Sequence, residues 1–502
     1  MKPVELLYAA NVISRQGDGA RQDLAFRLLV ENRAFEKEVA VVWAGEDGAW
    51  HSARAYWLCT LDPQRELWHA TASISAAADH DNLPGDIRFA ARCRMAGEEY
   101  WDNNGGFNHD LNADSGLRLA AGHPLLAVDF RPQLEPGHDY LPLAVALRPA
   151  AAVNRVFVRW STDRWRTFTD TPCYFRRRHW GRTAASNARN PNRYGDEIWI
   201  SHLALGAAFR VEYAIACETA TGTVWDTNFG HNYRARRERL KVLTLNLHCN
   251  QEPDQDAKLW RIAETIRDLG IDIVCLQEVA EPWNDGNGDW AANTARLIQE
   301  RIGRPYQITH DWSHLGFDRY REGSAILSRH PIIGTDSGYV SSGHDPRSIH
   351  SRRVVHARIE VPYFGAINVF SSHLSWLNDG FREQFPRLRQ WACERHWNDT
   401  AGTLLCGDFN IPAGREGYEI ATGDGCFTDQ FLLAQLRQRA EAGFGPPPGD
   451  HPRPDPADGR IDYLFAHRDS RIEAVAAREL FTESDCGRVS DHPGYLVEFE
   501  PR

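Results

Sequence analysis

Eight polar residues, all beyond position 240, stand where apolar runs stop. They are Asn246 after VLTL, Glu278 after IVCLQ, His373 after NVFSS, Asp408 and Asn410 in LLCGDFN, Asp462 in GRIDYLF, and Asp491 and His492 just before PGYLVEFE. Any one alone reads as an Asx turn or a cap. As a set they gather carboxylates, amides and imidazoles at strand ends, where α/β proteins mount binding groups on a rigid scaffold. Glu278, Asn246 and an acid such as Asp491 offer hard oxygen donors that suit Mg²⁺ or Mn²⁺ rather than zinc. His492 beside an orienting acid supplies a general base, Asp408 and Asn410 reach a water, and His373 can donate to phosphoryl oxygens as charge builds. This chemistry is metal-assisted hydrolysis of a phosphate ester. In SIHSRRVVHARIE, Arg353 is the expected phosphate contact, because arginine reads phosphate in two-pronged fashion.

The scaffold under these residues alternates strand and helix. KVLTLNLH reads as a strand, Leu259, Ile262, Ala263, Ile266 and Leu269 fall at helical spacing, and IDIVCLQEV returns to a strand. GAINVFSSHL, GTLLCGDFN, GRIDYLFAH and PGYLVEFE add further buried strands, which predicts an α/β domain over 239–502. GFGPPPGDHPRPDPADG at 443–459 reads as a long surface loop.

The first 236 residues differ in kind. WDNNGGFNHD at 101–110 returns as WDTNFGHNYR at 225–234, with tryptophans 225 − 101 = 124 positions apart. Upstream, Val39, Val41 and Trp43 match Val156, Val158 and Trp160 at an offset of 156 − 39 = 117. Period-two alternation and frequent turns predict two all-β modules, 1–116 and 117–236. RARRERLK at 234–241 reads as a solvated linker. The repeated turn has two readings. Asn and Gly supply positive φ while Trp plugs the sandwich; alternatively, aromatic faces and Asn amides take a sugar ring and its hydroxyls.

Composition narrows the partners. The 502 residues carry a net charge of −11, which opposes sequence-independent binding to nucleic acid. Hydrophobic content of 42% is ordinary for globular chains, and no apolar run approaches the roughly 20 residues of a membrane span. With no signal-peptide pattern at the start, the expectation is a soluble, cytoplasmic protein without a membrane partner. The ten cysteines are scattered without a CxxC pair, which predicts buried reduced thiols rather than disulfides or a zinc site.

TLNLH, LQEV, EGSAILSRHPI, SSHLSW, CGDFN, GRIDYLF and VSDHP together resemble the endonuclease/exonuclease/phosphatase superfamily. The resemblance implies a DNase I-like four-layer α/β sandwich. It also implies Glu278 as the principal Mg²⁺ ligand with Asn246 beside it, Asp408 and Asn410 aligning water or phosphate, and a His492–Asp462 dyad. Asp491 would help hold metal or phosphate, and His373 would touch phosphate. WSHLGFDRYREGSAILSR, SSHLSWLNDG and GDFNIPAGREGYEIA look most like bacterial maltose 6'-phosphate phosphatases, less like sphingomyelinases or DNase-type nucleases. Trp312, His314, Arg321 and Trp376 fall in these stretches as possible substrate contacts.

The second β module resembles the starch- and glycogen-binding modules of carbohydrate-binding family twenty-one, keeping Trp225, Asp226, Asn228, Gly230, Asn232 and Tyr233. The first keeps Trp101, Asp102, Asn104, Gly106 and Asn108, but has His109 in the tyrosine's place. The expected fold is therefore two immunoglobulin-like β-sandwich modules followed by the α/β domain. The expected glucan contacts are Trp225, Asn228, Asn232, Tyr233, Asn104 and Asn108. The combined expectation is a Mg²⁺-dependent phosphatase of a phosphorylated maltooligosaccharide or α-glucan, tethered to glycogen or starch by its modules. The alternatives are a metal-dependent phosphodiesterase with accessory modules and an inactive glycogen-anchored binding protein.

Overall fold

The structure, a computed structural model, describes residues 2–16, 19–77, 82–176, 178–179, 186–248, 250–284, 286–441, 449, 453–455 and 458–502. Most of the loop expected at 443–459 lies outside the described residues. The chain forms two compact units, Met1–Glu238 and Arg239–Arg502. No helix among the described residues is long and apolar enough to cross a membrane.

In Met1–Glu238 the alternation becomes antiparallel strands. One nine-stranded sheet runs Glu98–Asp102, Ile87–Met95, Lys37–Ala44, Trp50–Asp62, Arg65–Ala77, Gly19–Glu31, Val4–Gln16 and Gly116–Leu119, with His109–Leu111 beside Ile87–Met95. The sheet curls until its ends meet, so that Leu6 N–H donates to Asp102 Oδ2 at 2.8 Å. Phe26, Val39, Val41, Phe89 and Cys93 fill the interior. Further along, a four-stranded and a five-stranded sheet cover Val145, Val156, Val158, Ile215 and Cys217.

The repeat holds in register. Val39 faces Cys93 and Trp43 faces Phe89; correspondingly Val156 faces Cys217 and Trp160 faces Tyr213. The two β systems nevertheless share one core. Leu7, Tyr8, Leu29, Leu67 and Leu119 pack in the same cluster as Leu126, Val145 and Val211. Asp196, fully buried, accepts from Leu119 N–H at 3.0 Å and pairs with Arg148 at 2.7 Å. Each leucine removed from water contributes about 2 kcal/mol, so separating the two systems would be costly.

The supposed linker is built in. Arg237 is 4% exposed and donates to the carbonyls of Ala208, Glu135 and His138, while Arg239 pairs with Glu498 and Glu500. The charge run was misleading because these guanidiniums satisfy strand and turn oxygens rather than water.

Arg239–Arg502 is a four-layer sandwich. One sheet runs Gln307–Gly316, Tyr320–Ser328, Ile273–Asn284, Leu240–Asn246, Gly494–Pro501, Ile472–Leu480. The other runs Ile332–Tyr339, Arg353–Val361, Gly365–His373, Thr400–Asp408, Asp462–His467, Phe427–Asp429. Val242, Cys275 and Ile326 of the first sheet meet Val369, Leu404 and Cys406 of the second. Alternate residues of the same strands face outward, where Leu243 and Leu276 receive Ile262 and Ile266 of the helix Gln255–Leu269. On the other face Phe370 and Leu405 receive Phe385 and Leu388 of the helix Arg382–Arg395. Strands covered on both faces read as continuous apolar runs, which is how they appear in the sequence.

Candidate active site

Two parallel strand pairs, one in each sheet, bring carboxyl ends to a common edge. Leu240–Asn246 lies parallel to Ile273–Asn284, with Asn246 opposite Gln277. In the other sheet Gly365–His373 lies parallel to Thr400–Asp408, with His373 opposite Asp408, and Asp408 in turn faces Asp462 on the antiparallel neighbour. Backbone register alone thus places His373, Asp408 and Asp462 in one row.

Asn246 joins the sheets. Its Nδ2 donates to Glu278 Oε1 at 3.0 Å and to Asp408 Oδ2 at 3.1 Å, while its Oδ1 accepts from His248 N–H at 3.0 Å. Below them Gln277 donates to Ser371 Oγ at 3.0 Å, and Ser371 Oγ donates to Leu276 O at 3.1 Å. Glu278 has φ 51° beside an irregularity between Leu276 and Val279. Such a bulge re-aims a side chain, here towards the edge, at a cost of order 1–3 kcal/mol in backbone strain. Asn410, with φ 52°, donates its N–H to Asp408 Oδ1 at 2.8 Å and its Nδ2 to Leu374 O at 2.9 Å.

Asp462 Oδ2 lies 2.7 Å from His492 Nδ1, and His492 Nε2 lies 4.0 Å from Asp408 Oδ2 and 3.9 Å from Asp491 Oδ1. Burial works against the His492 cation. The hydrogen bond and charge of Asp462, with Asp408 and Asp491, outweigh it and push the pKa up to about 9. His373 Nε2 sits 3.6 Å from Asp408 Oδ2; burial, with Arg352 and His314 nearby, holds it well below the ordinary histidine range, so it is a neutral imidazole.

The oxygen donors fit a divalent cation. Burial and the charge of Asp462 raise Asp408 to about 7, and burial with Glu278 raises Glu322 to about 7. Asp462 Oδ1 is buried with no hydrogen-bond partner among the described residues. A hard ion among these carboxylates would relieve each of these penalties.

Arg353 departs from expectation. Its Nη1 pairs with Asp311 and its guanidinium lies 4.4 Å from the Tyr339 ring centre. Strand periodicity turns its neighbour Arg352 the other way. Arg352 is 3% exposed, its Nε and Nη1 have no hydrogen-bond partner among the described residues, and Glu322, Asp408 and Glu278 act on its charge. Burial lowers its pKa and the three acids oppose that. Sequence reading missed Arg352 because two adjacent arginines look alike without knowledge of which face is buried. Glu322 and Gln277 were missed too, being ordinary residues inside strand runs.

Of the other candidates, His314 is buried 3.4 Å from Glu322, and Arg321 stacks 4.3 Å from Trp283. Trp312 packs against the helix-facing core, and Trp376 is 50% exposed three residues beyond His373.

The glucan candidates belong to Met1–Glu238. Trp101 and Trp225 are each 42% exposed, so neither plugs a sandwich. Tyr233, expected at the sugar, is 2% exposed, stacked on Tyr213 at 5.0 Å and donating to Asp226 Oδ2 at 2.6 Å. His109 stands in that place in the first copy, 3.6 Å from Asp102. Asn228 is also buried; its Nδ2 donates to Asn232 O at 3.0 Å, as Asn104 Nδ2 does to Asn108 O at 3.0 Å. These amides lock their own turns, whose φ values of 49–63° at Asn104, Asn108, Asn228 and Asn232 explain the Asn and Gly content. What remains outward is Trp225, edge-on to Phe157 at 5.7 Å and beside Arg159, which also covers the exposed Phe168. The tip of the second turn docks on the first β system, where Arg65 donates to Phe229 O and His231 meets Asp62 at 3.0 Å. The tip of the first turn is free, with Phe107 81% exposed.

Residues 243–492 match the family model described as endonuclease/exonuclease/phosphatase family, and residues 142–236 match that of the carbohydrate/starch-binding module, family 21. No curated protein matches the chain. Among solved structures it is similar to an endonuclease/exonuclease/phosphatase family protein from Leptotrichia buccalis, at 24% identity over 52% of this chain and 99% of that one, with a TM-score of 0.43. A mannosyl-6-phosphatase from Bacteroides thetaiotaomicron is similar at 16% identity over 52% and 99%, TM-score 0.39. The human Nocturnin catalytic domain is similar at 19% identity over 53% and 95%, TM-score 0.40. Residues 243–492 thus match the endonuclease/exonuclease/phosphatase family, whose members are metal-dependent phosphoric ester hydrolases, and residues 142–236 match the carbohydrate/starch-binding module of family 21.

Proposed function

We propose that the protein is a Mg²⁺- or Mn²⁺-dependent phosphomonoesterase acting on a phosphorylated maltooligosaccharide or α-glucan, of the maltose 6'-phosphate kind, in the cytoplasm. The observation that carries this reading is the occurrence, in one chain, of a match to the endonuclease/exonuclease/phosphatase family and a match to a starch-binding module. On this reading the two β systems, 1–116 and 117–236, hold glycogen or starch, the first as a single curled sheet rather than the expected immunoglobulin-like sandwich, and 239–502 is the catalytic domain. Tethering raises the substrate concentration at the site without touching the chemistry.

Glu278, with Asn246 and Asp491, would hold the metal, which when bound polarises the phosphoryl oxygens. Arg352 and the neutral His373 face the phosphate as hydrogen-bond donors. A water oxygen attacks phosphorus while the bond to the sugar oxygen breaks, and the sugar oxygen takes a proton from solvent. We assign the water's proton to Asp408, because its carboxylate is held from both sides by Asn246 and the Asn410 N–H and opens towards His492. His492, oriented by Asp462, stays beside the developing charge as a cation rather than serving as the base.

The test is inorganic phosphate release from a panel of maltose, glucose and glucan phosphates and of nucleic-acid and lipid diesters, with and without EDTA, alongside retention on amylose. EDTA-sensitive release from a glucan monoester supports the reading. Cleavage of diesters alone replaces it with a phosphodiesterase, and retention without any hydrolysis replaces it with a binding protein.

A further inference from the structure

Three sulfur and imidazole side chains converge well away from the catalytic edge. Cys393 lies in the last turns of the helix Arg382–Arg395, and Cys426 immediately precedes the strand Phe427–Asp429. His467 ends the strand Asp462–His467 and faces Phe427 across the ladder. Their candidate donor atoms all lie within 4.8 Å of one another. Cys393 Sγ and Cys426 Sγ are 3.5 Å apart. That is far beyond the roughly 2.05 Å of a disulfide. It is close to the about 3.8 Å expected for two thiolates at about 2.3 Å from one tetrahedral zinc.

The surroundings favour a ligand role for the imidazole. The His467 ring stacks on His396 at 4.3 Å, and its Nδ1 accepts a long hydrogen bond, 3.3 Å, from Asp469 N–H with the Asp469 carboxylate 3.9 Å away. His396 is itself fixed by Thr403 Oγ1 at 2.9 Å. Both thiols are partly open to solvent, so an ion has a way in.

The geometry points to a zinc site formed by Cys393 Sγ, Cys426 Sγ and a ring nitrogen of His467, with the fourth position open to water. Two thiolates and an imidazole select a thiophilic ion, in contrast to the hard oxygen donors of the catalytic edge. Binding forms two Zn–S bonds and one Zn–N bond and releases the two thiol protons to solvent. The ion would staple the helix and the turn to the far end of the strand that Asp462 begins. No CxxC spacing announces it, because the ligands lie 33 and 467 − 426 = 41 residues apart. The inference does not depend on the phosphatase reading.

The experiment uses the full chain, purified under reducing conditions, stripped with chelator and titrated with Co²⁺ in excess Mg²⁺, which occupies the oxygen donors. The expected result is a thiolate-to-cobalt charge-transfer band that saturates at one equivalent, is displaced by Zn²⁺, and is lost in Cys393→Ser and Cys426→Ser. Absence of the band in the reduced protein overturns the site, as does a band that survives both variants. A Cys393–Cys426 disulfide in protein exposed to air with zinc present overturns it in favour of a redox pair. Should the serine variants lose their far-ultraviolet circular dichroism, alkylation of the wild type decides: zinc must slow modification of both thiols, and equal rates with and without zinc refute the site.

Discussion

His492 Nδ1 lies 2.7 Å from Asp462 Oδ2, an ion pair closed between the start of one strand and the loop before the last, in different sheets. Its effect on titration is measurable in metal-free protein. The folded pKa of His492, about 9, lies above an unfolded value of about 6.5. The pair's stabilisation is therefore complete below about pH 6.5 and is lost as pH rises through about 9, on the order of 3 kcal/mol in all. Asp462→Asn should lower the His492 pKa by more than about one unit in an NMR titration. A histidine still titrating near 9 would remove the pair as the cause.

Glu278→Gln keeps the shape of the side chain and removes its charge. We expect turnover to fall by about 100-fold or more, with the melting temperature unchanged or raised, because repulsion with nearby Glu322 is relieved. EDTA treatment of the wild type should mimic the loss, and Mg²⁺ should restore wild type but not the variant. Activity of Glu278→Gln equal to wild type would take Glu278 out of the metal site.

Arg352 and Arg353 separate chemistry from scaffold. Arg352→Met should lower kcat/KM by about 10- to 100-fold, and Arg352→Lys should recover part of it, since a point charge replaces a planar fork. Arg353→Met should leave kcat/KM alone and cost about 1 kcal/mol of stability through Asp311 and Tyr339. The reverse pattern would restore Arg353 as the phosphate contact.

For glucan binding, Trp225→Ala should abolish most retention on amylose, whereas Tyr233→Phe should leave retention intact. The latter should cost about 1–3 kcal/mol, because half-buried Asp226 loses a donor. Trp101→Ala reports on the first copy separately. Loss of retention in folded Tyr233→Phe, with Trp225→Ala unaffected, would return the contact to the tyrosine.

The two β systems are expected to unfold as one. Residues 117–236 expressed alone would leave Leu126 and Val145 without Leu7, Leu29 and Leu67, and should lack a cooperative thermal transition. A sharp transition with native-like amylose retention would show that the second β system folds unaided.

Much of the site was legible because its residues interrupt apolar runs. A strand buried on both faces carries no polar residue without a reason, so Asn246, Asp408 and Asp462 stood out before any fold was known. The duplicated turn was equally visible, since positive φ at Asn104, Asn108, Asn228 and Asn232, and at Gly105, Gly106 and Gly230, favours Asn and Gly. Which face a residue takes was not visible. Arg352 and Arg353 differ only in strand phase, Tyr233 and Trp225 only in which side of a turn they leave, and the arginines of RARRERLK only in what they meet.

By itself the sequence determined the local geometry: strands and helices from apolar period, turns from Asn and Gly, and the kinds of donor atom at each strand end. Tertiary structure decided what required distant segments to meet. It set Asn246 between two sheets, aimed Arg352 rather than Arg353 at the acids, buried Tyr233 behind Trp225, and drew Cys393, Cys426 and His467 together. Period and turn propensity act over a few residues and can be read along the chain. Burial and electrostatic pairing depend on packing between segments tens to hundreds of residues apart, which no local pattern records.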